Sequence, residues 1–181
     1  MKHKSGRNDA RAVMLLLAVL IAGPVLAAGE NIHLYGALVA EPCVIPPGEE
    51  LIALDFGSVI DKYLYLNTRT QGQSFSIHLT ECDVSLGKTV KVAFLGTENA
   101  ALPGLLALDG GSQATGIAIG LETEKAKPVP INTESDTYLL QAGDNRIALK
   151  AYVKGEPQAI ANRTIGYGPF GAVATFALEY E

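Results

Sequence analysis

The last fourteen residues of the sequence constrain the fold more than any other stretch. From position 168 to 180 every even-numbered residue is apolar or glycine: Gly168, Phe170, Ala172, Ala174, Phe176, Leu178 and Tyr180. This period of two is typical of a β-strand with one buried face. The given sequence stops at Glu181 with no later strand to cover the free edge, and soluble proteins usually avoid such an edge. We therefore expect an earlier part of the chain, or another chain, to cover it.

Residues 1–27 have the pattern of an export signal. Four basic residues precede an unbroken apolar run from Val13 to Ala22, and Val25-Leu26-Ala27 supplies small residues for cleavage before Ala28. The alternative of an uncleaved membrane anchor is disfavoured, because an apolar run of this length is too short to span a bilayer as a helix. Removal of 27 of the 181 residues leaves 154, enough for one domain with its own core.

The charge of the mature chain excludes some classes of partner. Loss of four basic residues and Asp9 with the signal takes the formal net charge from −5 to −8. An acidic surface argues against nucleic acid and anionic membrane as partners.

Cys43 and Cys82 are the only cysteines of the chain. In an oxidising compartment two cysteines most simply form one disulfide, and closing a loop of about 40 residues would contribute roughly 4 kcal/mol to stability. A metal site would need more ligands, and the mature chain offers only His33 and His78 besides the cysteines. We therefore expect a disulfide and neither a metal nor another cofactor.

A second alternating segment lies at the other end of the mature chain. Its in-phase residues are Ile32, Leu34, Gly36, Leu38 and Ala40. Glycine inside a strand often marks a place where another backbone or a bulky neighbour comes close. Pro42 then separates this segment from the rest, because proline cannot join a sheet from a central position. The expected organisation is a signal at 1–27, an N-terminal extension at 28–41 and one domain at 42–181.

Between these ends the chain reads as short strands separated by turns. Alternating runs predict strands at 50–56, 73–82, 88–95, 115–121, 138–141 and 145–153. No segment beyond the signal shows a sustained helical period. The predicted fold class is all-β, an immunoglobulin-like β-sandwich.

Several motifs suggest chemistry, and each has a simpler interpretation. Residues 166–171 match the spacing of a dinucleotide-binding loop, but a strand follows where that motif needs a helix. His78 invites a catalytic triad, yet its polar neighbours are adjacent in the strand, so we expect a solvent-facing histidine. The charged residues at 122–127 are expected to form a solvated loop, since no pair of carboxylates stands out for glycoside hydrolysis. We therefore expect no enzyme.

The features together resemble the pilins of chaperone–usher fimbriae, the family of P and type 1 pilus subunits. They are the cleavable signal, the alternating extension with Gly36, the pair Cys43 and Cys82, and a C-terminal motif with Gly168 and the penultimate Tyr180. The stretches 96–104 and 115–121 are especially similar to minor tip and adaptor subunits of P-type pili.

The resemblance implies a sandwich that lacks its final strand. A periplasmic chaperone would lend a strand to the gap and hold the carboxylate of Glu181. At the outer-membrane usher, the extension of a neighbouring pilin subunit would replace the chaperone strand, and the chain would reach the cell-surface fimbrium through the periplasm. The donor residues would be Ile32, Leu34, Gly36 and Leu38. The acceptor edge would be the alternating set from Gly168 to Tyr180.

Two alternatives to an adaptor or minor tip subunit remain open. Within the family, the chain would be the major shaft pilin. From another class, it would be a secreted β-sandwich that is complete by itself and binds a carbohydrate or another small ligand.

Overall fold

The computed structural model describes residues 34–38 and 40–181. The predicted signal at 1–27 and the donor residue Ile32 lie outside the described residues. The chain divides into two units, residues 1–38 and residues 39–181. Within the described ranges, no helix combines the length and the apolar character needed to cross a membrane.

The second unit contains two three-stranded antiparallel sheets. In chain order the elements are α1 (Asp61–Asn67), β1 (Gln73–Cys82), β2 (Thr89–Leu95), β3 (Ile117–Thr123), β4 (Tyr138–Leu139), β5 (Gly143–Gly155), α2 (Pro157–Asn162) and β6 (Thr175–Tyr180). The first sheet has the order β1-β5-β3, and the second has the order β4-β2-β6.

The core lies between the inner faces of the two sheets. Ile77 and Leu79 of β1 are buried together with Val90 and Val92 of β2, as the period of two predicts. Across the core, the ring of Phe75 meets the ring of Phe94 edge-on, with centroids 6.2 Å apart. The all-β sandwich expected from the sequence is confirmed.

The structure contains two short helices in the stretch after the signal, where the sequence shows no sustained helical period. Pro157 begins α2 at a position where its missing N–H is not needed, and Arg163 ends the helix in a left-handed conformation. Thr68 ends α1 in the same way. With seven and six residues, these helices are too short to show a period in the sequence.

Residues 50–56, predicted as a strand, join neither sheet. Their burial alternates, with Ile52, Leu54 and Phe56 half-buried and the residues between them exposed. The pattern therefore predicted the direction of the side chains correctly and the pairing wrongly.

The charged stretch 122–127 is not uniformly solvated, contrary to expectation. Glu122 is 2% exposed, and its carboxylate accepts hydrogen bonds from both terminal nitrogens of Arg69 at 2.8 Å each. The guanidinium of Arg69 also stacks on the ring of Tyr152, 3.7 Å from its centroid. The pair fastens the loop before β1 to the outer face of the first sheet. Lys127, by contrast, forms an exposed pair with Asp136.

Candidate functional site

An apolar groove runs along the alternating C-terminal stretch. On this side the even residues Phe170, Ala172, Ala174, Phe176, Leu178 and Tyr180 are half-buried and pack against the core. The odd residues between them are exposed. The core-facing side chains of the stretch therefore form a continuous apolar wall, although only residues 175–180 form a strand in the ladder with β2.

The backbone of β6 bonds to β2 on one side only. Glu181 exchanges both main-chain hydrogen bonds with Thr89, at 3.0 and 3.1 Å. Because paired residues in an antiparallel ladder alternate between bonded and non-bonded pairs, the main-chain groups of Phe176, Leu178 and Tyr180 point away from β2. Among the described residues they have no main-chain partner, so they form an open strand edge toward the groove.

Residues 41–59 form the other side of the groove. Ile45, Ile52, Leu54, Phe56 and Val59 are half-buried against the core. Among the described residues, none at positions 50–56 makes a main-chain to main-chain hydrogen bond. Two extended segments with main-chain groups that have no main-chain partner in the described part of the chain therefore flank the same apolar floor.

The floor of the groove contains three hollows in a row. The first, of about 550 Å³, lies between Cys43, Ile45 and the pair Leu178 and Tyr180. The second, of about 270 Å³, is lined by residues that include Ile52, Leu54, Phe56, Ala172, Ala174 and Phe176. The third, of about 140 Å³, is lined by residues that include Val59, Leu64, Ile165, Tyr167 and Gly168.

An aromatic contact narrows the groove between the second and third hollows. The rings of Phe56 and Phe170, which come from opposite sides, have centroids 6.2 Å apart. The groove is therefore wide over most of its length and narrow before the hollow next to Gly168.

The loop 109–114 fixes the start of the alternating stretch. The amides of Asp109 and Gln113 donate to the carbonyls of Gly171 and Pro169 at 2.8 and 2.9 Å. Gly168 has a φ of +136°, and a Cβ there would come within 2.5 Å of the Cβ of Gln113. This position of the predicted acceptor set therefore requires glycine, and Gly168 is exposed instead of packing on the core.

The C-terminal residue is held by β2. The carbonyl oxygen of Glu181 accepts from the amides of Lys88 and Thr89, and its side chain pairs with Lys91 at 2.5 Å. Next to it, burial raises the pKa of the Tyr180 hydroxyl above its ordinary value.

The predicted donor residues lie in the first unit. Leu34 and Leu38 are 89% and 104% exposed, and Gly36 stands between them.

The disulfide expected from the sequence joins Cys43 to Cys82, with Cα atoms 4.1 Å apart. It ties the beginning of the groove to the end of β1. The sequence did not identify residues 52–59 as part of the groove. The alternation at 50–56 was the available signal.

His78 lies on the outer face of β1, as its position in the strand predicts. It is less exposed than expected, with 15% of its side chain accessible, because its Nδ1 lies 3.0 Å from a carboxylate oxygen of Glu49. Residues 166–171 lead into β6 and no helix follows them. In the described part of the chain, no three His, Cys, Asp or Glu side chains cluster as a metal site would require.

The comparisons with known proteins match this chain to fimbrial and pilus proteins. The profile of a family described as "Fimbrial protein" matches residues 32–181. The fimbrial-like protein YfcP of Escherichia coli (strain K12) is 33% identical over 171 residues, 90% of this chain and 93% of that protein. The putative minor fimbrial subunit PmfF of Proteus mirabilis (strain HI4320) is 29% identical over the full length of both. The crystal structure of the P pilus rod subunit PapA matches with a TM-score of 0.67 and 27% identity, over 78% of this chain and 100% of that chain.

Proposed function

Because the chain belongs to the fimbrial protein family of chaperone–usher pili, we propose that it is a structural pilus subunit that both accepts and donates a β-strand. The observation that carries the proposal is the groove with unpaired main-chain groups on both sides and an apolar floor. A strand inserted between β6 and residues 50–56 would bond to both edges and bury alternate side chains. In this function the acceptor edge is the set from Gly168 to Tyr180, and the donor is the extension 28–41.

The order of the hollows supports one direction for the incoming strand. The donor pattern is two large residues, Ile32 and Leu34, then Gly36, then Leu38. Glycine fits the narrow point at Phe56 and Phe170 only if Leu38 enters the hollow next to Gly168. The donor would then run antiparallel to β6. The opposite direction would bring Leu34 to the narrow point and leave Gly36 over the wide hollow.

Burial of the donor side chains is large enough to hold a neighbour. If fully buried, Ile32, Leu34 and Leu38 would together contribute on the order of 5–9 kcal/mol, as an upper estimate. The hydrogen bonds to two edges come in addition. The exposed state of Leu34 and Leu38 supports their availability.

We assign the chain to a minor tip or adaptor position in the fibre. Support comes from its end-to-end similarity to a protein named as a putative minor fimbrial subunit. The alternative is the major shaft subunit, supported by its similarity to a rod subunit. Counting copies of this chain against the major subunit in purified fimbriae by quantitative mass spectrometry distinguishes the two, since a shaft subunit would dominate the count.

The route to the fibre follows from the same assignment. Residues 1–27 direct export, and a periplasmic chaperone fills the groove until the usher brings a neighbouring subunit. Basic chaperone residues would hold the carboxylate of Glu181. The role is structural and uses no catalysis, cofactor or metal.

The test compares two adjacent positions on the groove stretch. Ala174 points into the groove, whereas Val173 is 71% exposed on the other face. The mature chain, co-produced with a fimbrial chaperone, is offered a labelled peptide of residues 28–40. Ala174→Asp should abolish peptide capture and fibre growth, because the charge would be buried under the strand, and Val173→Asp should leave both unchanged.

Two results would contradict the proposal. One is equal capture by both variants. The other is a soluble monomer of the mature chain that takes up no peptide because its own backbone fills the groove. The second result would favour the self-complete ligand-binding sandwich.

A further inference from the structure

We propose that an exposed apolar surface next to Gly168 receives the folded domain of a second copy of this chain. The surface consists of Ile60, Tyr63 and Leu66, and we call it the pole patch. The inference rests on the proposed strand exchange and adds to it a contact between folded domains. That contact is separate from the strand in the groove.

The members of the pole patch are large apolar side chains with unusual exposure. Leu66 is 82% exposed, Ile60 63% and Tyr63 40%. Ile60 is the N-cap of α1, and Tyr63 and Leu66 follow at intervals of three, so the three residues lie along one side of the helix. A contiguous patch of this kind marks an interaction site.

The pole patch is continuous with the groove. A hollow of about 230 Å³ is lined by Ile60 and Tyr63 together with Phe56 and Val59. Phe56 also lines the middle hollow of the groove, and Val59 lines the hollow next to Gly168 together with Tyr167. A folded domain that lies at this end of the groove would therefore contact the pole patch directly.

The length of the extension leaves the donor domain little freedom. In the proposed orientation Leu38 occupies the hollow next to Gly168, and the donor's own domain begins at Pro42. Pro42 is buried, its carbonyl accepts from the amide of Asp83 at 2.7 Å, and Cys43 is fixed by the disulfide. Four residues span at most about 14 Å. The domain of the donor must therefore lie against the end of the groove, where the pole patch is.

The donor has exposed apolar side chains at the point where its extension joins its folded domain. Gly87 packs on Pro42, which places the turn 83–87 beside the exit. In that turn Leu86 is 54% exposed, and beyond Cys43 the side chain of Val44 is 48% exposed. We expect Leu86 and Val44 of one copy to meet the pole patch of the next.

The two surfaces lie at opposite ends of one stretch. Gly87 is near the main-chain oxygen of Glu181, whereas the pole patch begins beside Gly168. Thirteen residues of extended chain separate these ends by roughly 43 Å. A contact between two different surfaces is heterologous, and it builds an open fibre when the rotation between successive copies does not close a ring.

The test separates the strand from the domain contact. The mature chain, prepared with a fimbrial chaperone, is released to bind either a labelled peptide of residues 28–40 or a second copy of the chain. In the Leu66→Asp variant, we expect pairs of subunits to dissociate at least tenfold faster than in the wild type. Release of the peptide should stay within twofold, since the peptide carries no folded domain.

Two variants serve as controls. Leu66→Met keeps an apolar side chain of similar size and should behave as the wild type. Leu95→Asp places the same charge on a 47% exposed leucine at the end of β2, outside the pole patch, and should not change the dissociation of subunit pairs.

Each outcome decides a different question. If the wild type does not bind the peptide, the proposed strand exchange fails. If it binds the peptide and the patch variant dissociates from a second copy at the wild-type rate, the domain contact is wrong and the strand exchange stands. If the variant releases peptide and subunit equally fast, the patch belongs to the groove and the separate contact is likewise wrong.

Discussion

The two sheets differ in how their edges are covered. In the first sheet, the edge strand β1 is bridged by Val44, and β3 is bridged by Leu106 and Pro128. In the second sheet, β6 faces the groove, and its groove-side main-chain groups have no main-chain partner among the described residues. Soluble proteins normally protect such edges, so the first sheet, which we call the closed half, follows the rule and the second sheet breaks it. The strand exchange proposed above accounts for this difference, because an inserted strand would cover the open edge.

The disulfide ties the segment that begins one side of the groove to the end of β1, and its loss should have the largest effect. Replacing Cys43 and Cys82 with alanine should lower the free energy of unfolding by about 4 kcal/mol, because the unfolded chain is no longer constrained by the closed loop. Guanidinium unfolding of the mature chain with the 28–40 peptide in its groove measures the loss. A reducing agent should destabilise the wild type by the same amount and leave the variant unchanged. Equal stability of the wild type and variant would show that packing alone holds the groove edge.

A pair of leucines sharpens the comparison further. Leu79 is 0% exposed in the closed half, whereas Leu178 is half-buried under the groove. Leu79→Ala should lower the unfolding free energy by about 3 kcal/mol, since it leaves a cavity in the core. It should hardly change peptide release.

Leu178→Ala should act mainly on binding. The lost contact lies between the groove and the inserted strand, so we expect roughly tenfold faster peptide release, which corresponds to about 1.4 kcal/mol. Peptide release is followed by fluorescence and stability by guanidinium unfolding of the peptide complex. If the two substitutions change both measurements in parallel, the groove is simply part of the core.

The closed half was largely predictable from local pattern. Alternation predicted β1 at its observed bounds and the inward residues of β2 and β5, because burial of one sheet face imposes a period of two. The same signal gave the direction of Phe170 to Tyr180 in the groove. Pairing was less predictable, since residues 50–56 have the pattern of a strand and lack a partner within the described part of the chain.

Contacts between residues that are far apart in the sequence could not be predicted from the sequence. Glu122 stands among charged residues that look solvated, and only the fold brings Arg69 to it across 53 positions. The pole patch could not be predicted from the sequence either, because the helix that carries Tyr63 and Leu66 spans only seven residues. Both features depend on which segments the sandwich brings together, which one sequence does not reveal.

The ion pair of the closed half should contribute less to the unfolding free energy than the disulfide or the core leucine. Glu122→Gln keeps the shape of the side chain and removes the charge that faces Arg69. Removing one member of a fully buried pair costs about 3–5 kcal/mol, but the side chain of Arg69 is 34% exposed and water replaces part of the interaction. We therefore expect a loss of about 1–2 kcal/mol in the unfolding free energy of the peptide complex, with peptide release unchanged.

The exposed pair of Lys127 and Asp136 provides the matched control. Both side chains are 60% exposed, so Asp136→Asn should cost less than about 0.5 kcal/mol. A loss from Glu122→Gln no larger than this would mean that the stacked arginine is held by Tyr152 alone. The larger loss would instead show that the closed half is fastened on its outer face as well as in its core, independently of the strand that we propose the groove accepts.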